Sequence, residues 1–90
     1  MTEDSILTSL QKRIGVRITA LREEMGYTNA EQFAYAHGFK RETYRRLEAG
    51  ETNFELRTLV KILIVHKITI EQFFADLPEE PRKTKRSPKK

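Results

Sequence analysis

Residues 30–49 constrain this chain more than any other segment. Gly38 follows Ala34 by four residues, and Tyr44 and Leu47 come ten and thirteen residues after the alanine. Two short helices joined by a turn of a few residues must cross steeply, and the crossing admits only a small side chain. Ala34 supplies it. Gly38 has no Cβ and accepts the positive φ that opens such a turn. Phe39 can then tuck into the core. Tyr44 and Leu47, three apart on the second helix, share its inner face.

The rest of the chain reads as helix of the same kind. Ile6, Leu10, Ile14, Ile18, Leu21 and Met25 recur at steps of four and three, the apolar stripe of an amphipathic helix. Asp4 or Ser5 is the expected N-cap, Gly26 the expected end, and Gly15 the expected point where the first turns bend away. A second helix is expected from about Ala30 to His37, capped by Asn29 and stopped by Gly38-Phe39. A third runs from about Arg41 to Ala49 and stops at Gly50. Asn53 is the expected cap of a fourth, with Leu56, Leu59, Ile62 and Leu63 on its apolar side. Thr69 caps a short fifth helix carrying Ile70, Phe73 and Phe74. The expectation is an all-α fold, an orthogonal bundle of five short helices.

Ninety residues suffice for one domain and not for two. Residues 78–90 hold six basic and two acidic side chains, three prolines and no large apolar residue, which predicts a disordered basic tail. Residues 1–77, the expected folded domain, balance eleven basic against eleven acidic side chains. Any anion-binding face in that domain must therefore come from local clustering of charge. With no cysteine and only His37 and His66, neither a disulfide nor a zinc site is expected. The four glycines are scattered at helix boundaries and bends rather than gathered in a phosphate loop. Ser, His and Asp residues are not clustered. No enzyme activity, cofactor or small-molecule ligand domain is expected. Met1-Thr2-Glu3-Asp4 is acidic with no apolar run behind it, and the longest apolar run is Ile62 to Val65, so a soluble, cytoplasmic protein is expected.

Charge does cluster on the third helix. Lys40, Arg41, Arg45 and Arg46 stand against Glu42 and Glu48. A charged helical face is ordinarily just solvated. Here Arg41, Glu42 and Arg45 lie opposite Tyr44 and Leu47, on the outward side of the second helix of a helix-turn-helix. In that motif the start of the second helix reads base edges in the major groove. Arginine pairs bidentately with guanine, and a glutamate can accept from cytosine N4. Lys40, Arg41, Glu42, Thr43, Arg45 and Arg46 are thus the candidate DNA contacts.

Three stretches carry a resemblance: Ile14-Gly15-x-Arg17-Ile18-x-x-Leu21-Arg22, Phe33-Ala34-x-x-x-Gly38, and Leu47-Glu48-x-Gly50. Together they resemble the Cro/repressor class of helix-turn-helix regulators, also called the xenobiotic-response-element family, over roughly residues 12–74. The resemblance implies five helices, with the second and third forming the DNA-binding pair, and dimers on palindromic operators. It implies a buried salt bridge from Arg22 to Glu48 between the first and third helices. It also implies that Thr52 and Asn53 lie in a loop beside the DNA backbone. The chain departs from the family pattern at Ala30, where Gln is usual, and at Lys40, Tyr44, Glu51 and His66.

The function expected from these readings is sequence-specific transcription regulation, by a repressor that occupies an operator in double-stranded DNA. The other reading is a protein-interaction module, such as the antitoxin of a toxin–antitoxin pair. The apolar group Ile68, Ile70, Phe73 and Phe74 either completes the core or forms a homodimer patch. The tail is expected to add sequence-independent affinity for phosphate.

Overall fold

The first helix begins where Thr2 can close a capping box. Its hydroxyl accepts from the Ser5 amide at 3.1 Å, and the Ser5 hydroxyl accepts from the Thr2 amide at 3.1 Å. In the computed structural model, which describes residues 2–51 and 53–78, this helix is α1, Glu3–Glu24. The expected caps, Asp4 and Ser5, are inside the helix, and the Thr2 hydroxyl caps it by accepting from the Ser5 amide. Four more helices follow among the described residues: α2 (Ala30–His37), α3 (Arg41–Ala49), α4 (Leu56–His66) and α5 (Ile70–Ala75). No strand occurs among them.

Asn29 caps α2 as expected, its Oδ1 accepting from the Glu31 and Gln32 amides at 2.7 and 3.2 Å. Thr69 caps α5, in a second capping box with Gln72. Asn53 does not cap α4. The cap position is Glu55, whose side chain makes no capping bond. Gly38 ends α2 at φ +77°, and the Phe39 amide donates back to the Ala34 carbonyl at 2.9 Å, which closes the turn.

α3 packs on both α1 and α2. Ile14, Ile18 and Leu21 of α1 meet Phe33 and Ala34 of α2, Tyr44 and Leu47 of α3, Leu59 and Ile62 of α4, and Phe73 of α5 in one buried core. The α1 stripe is only half used: Ile6, Leu10 and Met25 are exposed. Leu56, expected on the inner side of α4, is also exposed. The C-terminal apolar group divides. Phe73 is fully buried and Ile68 packs against the core, while Ile70 and Phe74 remain exposed.

Gly15 is not a bend. α1 runs straight through it, and a Cβ there would stand 2.5 Å from the Glu48 carbonyl oxygen. The glycine is the point where the backbones of α1 and α3 touch. Pro78 is the last described residue, and its carbonyl accepts from Arg13 Nε at 2.8 Å. The rest of the expected tail, residues 79–90, lies outside the described residues, as do Met1 and Thr52.

Candidate nucleic-acid interface

Tyr44 and Leu47 anchor α3 in the core, with 0% and 2% of their surface exposed. A helix held by one face must present the other. Arg41, Glu42, Thr43, Arg45 and Arg46 are all exposed, and Lys40 is exposed at the N-cap position. The six candidate contacts on this helix therefore form one accessible surface.

A buried ion pair sets the height and rotation of α3. Arg22 Nε and Nη2 donate to the two carboxylate oxygens of Glu48 at 2.7 and 3.0 Å, a bidentate fork, and Nη1 donates to the Tyr27 carbonyl at 2.8 Å. One side chain of α1 thus ties α3 and the loop after α1 together. Its hydrogen bond to Glu48 holds the Arg22 guanidinium above its ordinary pKa, although burial pulls the other way. Beside this pair, burial pushes the Tyr44 phenol well above its usual range, so it stays neutral.

The turn in front of α3 is held from α4. Lys61 Nζ donates to the Gly38 carbonyl at 2.5 Å and lies 4.5 Å from the centre of the Phe39 ring. Lys61 was not a candidate from the sequence. An isolated lysine in an apolar period carries no signal of a contact 23 residues away. His37 and His66 both pack against Phe33, with ring centres 4.6 and 5.4 Å from it. Both are partly buried, and burial lowers the pKa of His66.

The exposed charges of α3 are internally paired. Glu42 Oε2 accepts from Arg45 Nη2 at 2.7 Å and from Arg46 Nε at 3.4 Å. The bond from Arg45 is the main reason that the Glu42 carboxyl lies below its ordinary pKa. Arg41 Nη1 approaches Glu31 Oε2, in the first turn of α2, at 3.8 Å. Asn53 is exposed beyond the end of α3. It lines a groove with Leu7, Leu10, Phe54 and Phe74, on the side of α1, α4 and α5. Its expected partner, Thr52, lies outside the described residues.

Among the described residues no helix is long and apolar enough to cross a membrane. A family model described as helix-turn-helix matches residues 18–73. No curated protein and no solved structure matches the chain.

Proposed function

Since the chain belongs to the Cro/repressor-type helix-turn-helix family, whose members are DNA-binding transcription regulators, we propose that it reads an operator with the outer face of α3 and represses by occupying it. The observation that carries this reading is the geometry of α3. Its apolar face is sealed by Tyr44 and Leu47, its axis is locked by Arg22 and Glu48, and four cations stand on or beside its exposed face. A helix of nine residues inserted in a major groove presents its first turn, here Arg41, Glu42 and Thr43, to base edges. Arg45 and Arg46, one turn later, are placed for a base or a phosphate.

The test is selection from a random duplex pool, followed by affinity measurement on the enriched sequence. Arg45→Ala should cost about 1–3 kcal/mol and relax the preference at one base pair if that residue reads a guanine. Replacement of Arg41, Arg45 and Arg46 together should abolish selection. A triple variant that binds the same sequence with the same affinity would remove α3 from recognition.

We also propose that the protein acts as a homodimer, on half-sites about 10–10.5 bp apart or a multiple of that. Ile70 and Phe74 support it, because both stay exposed on the last helix while Phe73 between them in the turn completes the core. Sedimentation with and without the selected duplex checks this. A single protomer on a site without dyad symmetry would contradict it. The antitoxin reading draws on the same exposed apolar surface, extended by Ile6, Leu7 and Leu10 of α1. A stoichiometric partner that copurifies with the chain would favour it.

A further inference from the structure

We infer that Glu42 is a specificity-determining residue: its carboxylate restrains Arg45 and Arg46 in the free protein and rejects duplexes that offer no donor to it. The inference rests on the DNA-binding reading above.

Three observations lead to it. First, Arg45 and Arg46 both pair with the same oxygen, Oε2, from one turn further along the helix. Glu42 therefore sits at the apex of a fork that aligns two arginines side by side. Second, Oε1 has no hydrogen-bond partner among the described residues, and Glu42 is exposed. One acceptor remains open in the first turn of the helix, where base edges are read. Third, Arg41 is drawn to Glu31, so three of the four cations on or beside α3 have a carboxylate within 4.0 Å. Glu31 and Glu42 thus offset two of the four positive charges on or beside α3.

Exposed ion pairs of this sort are weak, so a phosphate or a guanine can take either arginine from Glu42. The carboxylate is then left facing the duplex. A phosphate repels it, and so do the acceptor edges of guanine and the O4 of thymine. Only an amino group, cytosine N4 or adenine N6, can bond to it. On a matching site the arginines change partners and Oε1 gains a donor. On any other sequence the arginines gain phosphates at the expense of an uncompensated negative charge. Discrimination of this kind comes from a penalty on the wrong partner as much as from attraction to the right one.

The experiment uses the full chain and two substitutions, with the random duplex pool and the sequence it enriches as probes. Glu42→Gln keeps the shape and removes the charge. It should bind random duplex about five- to tenfold more tightly at 0.1 M salt, with a salt slope steeper by about 0.9 for each arginine released to phosphate. Its preference at one base pair should relax by roughly tenfold or more, or move to adenine, which glutamine pairs with bidentately. Glu42→Asp keeps the charge but shortens the reach. It should bind random duplex as weakly as the parent and still lose preference at that base pair. Thermal unfolding of all three proteins shows that they are folded. If Glu42→Gln matches the parent in random-duplex affinity, salt slope and base preference, the inference is overturned. If the parent itself enriches no sequence and binds no duplex, the DNA-binding reading fails first, and the inference with it.

Discussion

Arg22→Ala should cost about 3–5 kcal/mol of folding free energy, enough to leave much of a domain this small unfolded. The side chains of Arg22 and Glu48 are only 8% and 11% exposed. Removal of the guanidinium leaves Glu48 charged, largely buried and without its two charge-assisted bonds, and leaves the Tyr27 carbonyl without its donor. The energy at stake is the penalty of the orphaned carboxylate, not the net worth of the pair. A second variant separates the two. Arg22→Met combined with Glu48→Leu removes both charges and keeps most of the volume, so it should recover much of the loss. Chemical denaturation of the parent and both variants at neutral pH is the measurement. A single variant that loses less than about 1 kcal/mol would mean that water reaches Glu48 and that the pair does not lock α3.

Gly15→Ala should destabilise this protein although it adds only one methyl group. Alanine is the better helix former by roughly 1 kcal/mol, so an exposed site in the middle of α1 would be stabilised by the change. At Gly15 the new Cβ would lie 2.5 Å from the Glu48 carbonyl oxygen, 2.9 Å from that of Leu47 and 3.0 Å from the Gly50 amide nitrogen. All three neighbours are backbone atoms of the end of α3 and its cap, and none can rotate away. The helices must part, which disturbs the Arg22–Glu48 fork as well. Overpacking of this kind costs about 1–3 kcal/mol and occasionally more, so against the roughly 1 kcal/mol gained in helix propensity a net loss of up to about 2 kcal/mol is expected. For a domain of this size that upper value corresponds to a fall in Tm of about 8–16 °C. DNA binding should weaken in step, because α3 is the element displaced. An unchanged or higher Tm would mean that α1 and α3 do not touch there.

The local features of this fold were legible in the sequence because they are made by neighbours in the chain. The Asn29 and Thr69 caps, the left-handed turn at Gly38 and the stop at Gly50 each depend on a few consecutive residues and on intrinsic backbone preferences. The 3.6-residue period placed Ile14, Ile18 and Leu21 inside. It equally placed Tyr44 and Leu47 inside and the arginines of α3 outside. Periodicity, however, says which residues share a face and not how far along the helix another element covers it. Only packing decided that Ile6, Leu10 and Leu56 stay exposed, and that Phe73 is buried while Ile70 and Phe74 are not. The same holds for Gly15: in sequence it resembles a flexible point, and its actual role, close approach of two backbones, exists only once α3 lies across α1. Charge pairing was hidden for a similar reason. Residue types name the carboxylates and cations on α3, but only the rotamers in the folded chain put Arg45 and Arg46 on one oxygen of Glu42, and Lys61 on the carbonyl that closes the turn. Sequence determined the helices and the face that α3 presents; the tertiary structure decided how that face is charged, because pairing depends on distances that no local pattern encodes.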